Sequence, residues 1–212
     1  MEKILLYATV DAPPPPQEMF NYFDEKVREH GEERVWEMLE KNQFRLPGDT
    51  RGSEITERKL KHPSGEFMHA FNNPMFVDKD MVKWVHENIS PLAKDIRFSH
   101  TTPNRDRLGP HVDATRNCAL IWIIRSGGPD HRTVFYKQKS TGMVVGPANY
   151  VVDDYSDLEE IGSISMPYGT WVFLNGTTIH SVENISEGRF AIQISFDETP
   201  DVKIKEACYY QG

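Results

Sequence analysis

At 212 residues and 24.4 kDa, the chain has room for one domain of generous size, and 38% hydrophobic with 11% aromatic residues supplies a substantial core. A net charge of −8 and a pI near 5.5 argue against a general grip on nucleic-acid phosphates or on an anionic membrane. No apolar run approaches the ~18 residues of a membrane span, so neither partner is expected and the expected compartment is the cytoplasm.

Ile4-Leu5-Leu6-Tyr7-Ala8 is too short for a signal-peptide core and reads as a first strand. The sequons at Asn88, Asn175 and Asn184 are then incidental. Pro13 to Pro16 form an extended connector, since consecutive prolines forbid a helix interior. Met19, Phe20, Phe23 and Val27, then Val35, Met38 and Leu39 beyond Gly31, recur at helical spacing, giving one broken helix or two between about Gln17 and Lys41. Phe44 to Gly65 has no clear period and reads as a long loop, followed by a strand over Gly65 to Phe71. Asp78 caps a helix carrying Val82, Val85 and Ile89, which ends near Ser90-Pro91 or runs on to Lys94.

The pattern changes at Ile96. Short strands separated by Gly, Pro, Asn and Asp are predicted at Ile96–His100, Gly109–Asp113, Cys118–Arg125, Thr133–Lys137, Tyr150–Val152, Ser163–Met166, Thr170–Asn175, His180–Glu183 and Arg189–Phe196. Such spacing indicates a β-sandwich or barrel. The run from Asp153 to Glu160 reads as a solvated acidic loop. Cys118 and Cys208 form neither a disulfide framework nor a zinc spacing, and Cys118 reads as a buried thiol. Without an internal repeat or a clean linker, residues 1–212 read as one domain. Residues 1–95 form a helical support region, 96–197 the β core and 198–212 a C-terminal tail.

Within that core, Gly109-Pro110-His111-Val112-Asp113-Ala114 puts a histidine and an aspartate two residues apart on an extended segment, on the same side. With a second imidazole from His180 they make the facial set that holds non-haem Fe(II) and leaves positions open. On the last core strand Arg189, Ala191, Gln193 and Ser195 fall on one face, and Phe190, Ile192, Ile194 and Phe196 on the other. The apolar face packs on the helices while the polar face lines a cavity. A guanidinium entering such a cavity calls for an anionic partner, and a carboxylate held bidentate answers it.

His111-x-Asp113, then His180-Ser181-Val182 after a Pro167-x-Gly169 strand pair, then Arg189 nine positions on, resembles the Fe(II)/2-oxoglutarate-dependent dioxygenase superfamily. The run Arg189 to Asp197 is similar to the prolyl hydroxylase branch, and Asn175 to Asn184 to the aspartyl/asparaginyl hydroxylase-like branch. The resemblance covers roughly residues 96–197. It implies a double-stranded β-helix of jelly-roll or cupin type, with N-terminal helices on its larger sheet. It implies that His111, Asp113 and His180 ligate Fe(II) and that Arg189 pairs with the distal carboxylate of 2-oxoglutarate. The implied reaction hydroxylates a C–H bond on the side chain of an amino acid, in a small molecule, peptide or protein, with O₂ consumed and succinate and CO₂ released. The secondary oxoglutarate contact departs from the family's pattern: the positions offer Thr101, Thr102 or Trp122, and Ala191 stands where a small hydroxyl residue is common. The remaining histidines (His30, His62, His69, His86, His100, His131) lack ligand spacing and read as surface or loop residues, and Trp122 and Trp171 as core aromatics. The alternative is a non-catalytic cupin-type barrel that binds a metal or ligand. Neither substrate nor oligomeric state is legible.

Overall fold

A computed structural model describes residues 3–35, 58–61, 67–70, 79–101, 107–113, 116–140 and 155–212. The protein is mostly β, with few helices. Its strands are β1 Lys3–Asp11, β2 Arg58–Lys61, β3 Phe67–Ala70, β4 Asp95–Thr101, β5 Arg107–His111, β6 Cys118–Ser126, β7 Arg132–Gln138, β8 Leu158–Ile164, β9 Trp171–Asn175, β10 Ile179–Glu183, β11 Arg189–Phe196 and β12 Lys203–Gln211. They form a six-stranded antiparallel sheet in the order β12-β1-β9-β6-β11-β4, a four-stranded one in the order β5-β10-β7-β8, and the hairpin β2-β3.

A 3₁₀ turn at Gln17–Phe20 leads into α1, Asn21–His30, and Gly31 breaks it with φ +81° before helical backbone resumes at residues 32–35. The helix α2 spans Lys79–Asn88. Among the described residues no helix is long and apolar enough to cross a membrane.

The large sheet has two different faces. Phe190, Ile192, Ile194 and Phe196 of β11 join Leu120, Trp171 and Phe173 in a core that α2 closes with Met81 and Val85, with Ile89 just beyond its end. Each such residue contributes roughly 1.5–3 kcal/mol by leaving water. Ala191 lies on the opposite face with Ala119, Ile121, Ile123 and Met166, and Ile164 of the small sheet packs against them. The alternation expected along β11 therefore holds. Tyr7 of β1 stacks on Phe135 of β7, ring centroids 5.9 Å apart, which fixes Phe135 on the small sheet's inner face.

Several elements depart from the sequence reading. Leu158 to Glu160, expected in an acidic loop, begin β8; Glu159 pairs with Lys137 at 3.1 Å and Glu160 with Arg132 at 3.3 Å. Cross-strand ion pairs make an acidic strand acceptable at the surface. Arg58–Lys61, expected in a long loop, is strand β2. The expected tail contains β12, which pairs with β1 along its whole length. Pro167-Tyr168-Gly169 joins β8 and β9, which belong to different sheets, so it is a crossover and not a hairpin turn. The Pro13–Pro16 connector is extended at Pro16 (φ −66°, ψ 148°) and strapped to the core, because the Trp171 indole donates to Pro13 O at 2.8 Å. The expected helix positions Met38 and Leu39, the expected strand at Tyr150–Val152 and the Asp78 cap lie outside the described residues.

Candidate metal and anion site

β5 delivers His111 at its last residue, and β10 delivers His180 directly opposite it in the register. The two imidazole centroids are 4.5 Å apart. Asp113 lies just beyond the strand, not on it as expected. Its position is set instead by backbone bonds: Asp113 N donates to Gly176 O at 2.8 Å, and Gly176 N donates to Asn117 O at 2.8 Å. Position 176 has no space for a larger residue, since a Cβ there would lie 2.5 Å from Asp113 Oδ2.

The three ligand groups converge. Asp113 Oδ1 is 4.0 Å from His111 Nε2, Asp113 Oδ2 is 3.9 Å from His180 Nε2, and one ligand atom from each residue lies within 4.8 Å of the others. His180 Nδ1 is 2.9 Å from Thr178 O. A carbonyl oxygen only accepts, so Nδ1 carries the proton and Nε2 presents its lone pair to the site. Burial lowers the His180 pKa despite the opposing influence of Asp113, which keeps the ring neutral and ligand-competent.

Arg116 joins the candidate site, and the sequence reading misses it. Its Nε donates to Asp113 Oδ2 at 2.7 Å and its Nη2 to Asp113 Oδ1 at 2.9 Å, a bidentate clamp, while Nη1 reaches Ser195 Oγ at 3.5 Å. Burial pushes the Asp113 carboxyl upward, but the Arg116 and His180 charges outweigh it and hold the group below its ordinary value. Donor chemistry fits a divalent ion of the borderline class, with two imidazole nitrogens and one ionised carboxylate oxygen. Such ions bond these atoms at roughly 2.0–2.2 Å.

Arg189 occupies the inner face at the start of β11 and is 8% exposed. Its Nη2 donates to the Met166 thioether at 3.1 Å, and its Nη1 is buried without a hydrogen-bond partner among the described residues. Burial brings its pKa down to about 10. Thr133 Oγ1, Gln193 Nε2 and His131 Nε2 are likewise buried without partners. His131, read from sequence as a surface or loop residue, lies in the loop between β6 and β7 but is buried, at 5% exposed, which corrects the surface alternative. Trp122 faces the helix side with Trp171, ring centroids 5.4 Å apart, so it stands on the wrong face of the sheet to meet a ligand on Arg189. Thr101 is the β4 register partner of Arg189, and Thr102 lies outside the described residues. Cys118 is buried as expected, and burial pushes its thiol up to about 11.

No protein-family model and no curated protein sequence matches the chain. Among solved structures it is similar to E. coli ycfD, at 17% identity and a TM-score of 0.33, over 51% of its own length. The matched part spans about a quarter of ycfD, 26% of that protein's length.

Proposed function

We propose that the chain is an Fe(II)- and 2-oxoglutarate-dependent oxygenase that hydroxylates a C–H bond on the side chain of an amino acid. The observation that carries this reading is the pairing of two features in one interior. His111, Asp113 and His180 bring their donor atoms within 4.8 Å, and Arg189 is a buried guanidinium with no carboxylate partner among the described residues. An arginine placed so is costly unless an anion completes it.

Strand order supports a jelly-roll of the double-stranded β-helix type. From β4 to β11 the path visits large, small, large, small, small, large, small and large sheet in turn. Eight strands that pass between two sheets at every step except the β7–β8 hairpin fit that two-sheet, eight-strand architecture.

In this reading His111, the Asp113 carboxylate and His180 Nε2 hold Fe(II), which supplies the activation of O₂ for C–H hydroxylation. Thr178 O orients His180, and Arg116 with Gly176 orients Asp113. Arg189 binds the distal carboxylate of 2-oxoglutarate. Ala119, Ile121, Ile123, Ala191 and Phe135 wall the interior with apolar surface and exclude water.

Anaerobic addition of Fe(II) and 2-oxoglutarate should give a weak visible charge-transfer band, and O₂ should then yield succinate. His111→Ala should abolish both. Arg189→Ala should raise the KM for 2-oxoglutarate at least tenfold, about 1.4 kcal/mol, because a desolvated charge pair is lost. Absence of the band in the wild type would favour a non-catalytic cupin-type barrel. Substrate-stimulated succinate release, screened over amino acids and prolyl, aspartyl and asparaginyl peptides, names the target.

A further inference from the structure

Close to Arg189 lies a second buried group with no hydrogen-bond partner among the described residues, and in its neutral form it is an acceptor. His131 and Arg189 are seated on the same turn, Ser126-Gly127-Gly128. His131 Nδ1 lies 2.8 Å from Gly128 O, and a Cβ at position 127 would lie 3.1 Å from the Arg189 Cβ. The turn needs its glycines: φ is +97° at Gly127 and +114° at Gly128, and a Cβ at 128 would strike Ser186 Oγ at 2.1 Å.

Because Gly128 O only accepts, the ring proton of His131 sits on Nδ1, and Nε2 of the neutral ring is a lone pair. That atom is buried without a hydrogen-bond partner among the described residues, as are Arg189 Nη1 and Thr133 Oγ1. Thr133 shares the inner face of β7 with Phe135, and His131 stands immediately before the strand's first residue. An anion seated there would satisfy the guanidinium and the hydroxyl but would confront the lone pair of His131.

A proton resolves that conflict. Burial holds the His131 pKa below its ordinary value against the opposing hydrogen bond to Gly128 O, and the Arg189 charge adds to the lowering. An anion lying on Arg189 cancels that charge and replaces it with an attraction. The other groups nearby do not compete. Glu187 is on the exposed side and pairs with Arg125 at 3.4 Å, the Tyr168 hydroxyl accepts from Ser126 N at 3.1 Å, and Ser165 Oγ donates to His131 O at 2.9 Å.

We infer that His131 is a ligand-contacting residue of this pocket, which grips the terminal carboxylate of a dicarboxylate between Arg189, Thr133 and His131 and takes a proton from solvent onto His131 Nε2 as it does so. The choice of 2-oxoglutarate as that dicarboxylate rests on the function proposed above.

Calorimetric titration of 2-oxoglutarate at pH 7.0, with saturating Zn(II) and buffers of differing ionisation enthalpy, measures the proton directly. The expected result is uptake of about 0.5–1 proton per ligand bound, and none in His131→Gln, which should bind more weakly. Binding with buffer-independent heats, or uptake that persists in His131→Gln, overturns the inference. Should that variant fail to fold, histidine-selective ¹⁵N spectra of the wild type decide: one non-ligating ring must become imidazolium on adding the ligand, and no such change overturns it. If 2-oxoglutarate does not bind at all, the co-substrate reading fails by itself. Succinate and malonate then probe the pocket, and binding without uptake, or no binding, overturns the inference separately.

Discussion

Asp113 is held by two very different neighbours, a guanidinium that grips both of its oxygens and a glycine that leaves it room. Burial works upward on its carboxyl while Arg116, then His180, bring it below the ordinary value. A depressed carboxyl contributes stability above its unfolded pKa, near 3.9, and that stability is lost as pH falls through the folded value. In metal-free protein, Arg116→Met leaves the buried carboxylate unpaired at pH 7, a cost of about 3 kcal/mol. Thermal melts should therefore show a wide gap between this variant and the wild type at pH 7, narrowing at about pH 3 as the carboxyl protonates; a gap equal at both pH values would remove the clamp. Gly176→Ala tests the other neighbour. Its Cβ, 2.5 Å from Asp113 Oδ2, must displace the carboxylate, so Zn(II) affinity measured by calorimetry should fall at least tenfold, the range expected when a ligand's support is lost. His111, His180 and Asp113 of the candidate site are legible in the sequence because their types and order carry chemical meaning. Arg116 and His131 are not, since a lone arginine or histidine between strands has no periodic signature and reads as surface.

The same division holds for whole elements. β11 is legible to the residue because a buried strand between two unlike spaces must alternate, and Arg189 to Phe196 alternates without exception. Its apolar face is also where mutation should cost most. Ile194 is fully buried in the helix-side core. Ile194→Ala should destabilise by about 2–4 kcal/mol in urea unfolding, whereas Ser195→Val, on the other face, should spare that core and instead disturb Arg116. A near-zero effect at Ile194 would mean that the helices are not closing this face. β8 and β12 are hidden for opposite reasons. Glu159 and Glu160 look like a loop until Lys137 and Arg132 are placed across from them. β12 is largely exposed along its length, and it forms because β1 offers a backbone edge to pair with, a long-range fact no local pattern encodes.

At the scale of the whole molecule, the site is built from segments far apart in sequence that only the two-sheet arrangement unites: β5, the stretch before β6, the β9–β10 turn and β10. Residues so separated close their loops only on folding, so the unfolded polypeptide has no preformed site and metal binding must report on the fold itself. An ion that binds the folded state alone stabilises by RT ln(1 + [L]/Kd), about 2.7 kcal/mol at a hundredfold excess over Kd. For a protein of this size that corresponds to a rise of about 5–10 °C in Tm. Zn(II) or Mn(II) should produce such a rise in the wild type and none in His180→Ala, measured by calorimetric melting. Arg189→Ala should keep the metal-dependent rise and lose only the further rise that 2-oxoglutarate adds, because in the proposed reading its guanidinium serves the anion and not the ion. A metal-dependent rise that survived loss of His180 would place the ion elsewhere. One that vanished with Arg189 would mean that the two halves of the interior fold as a single unit and cannot be assigned separate ligands.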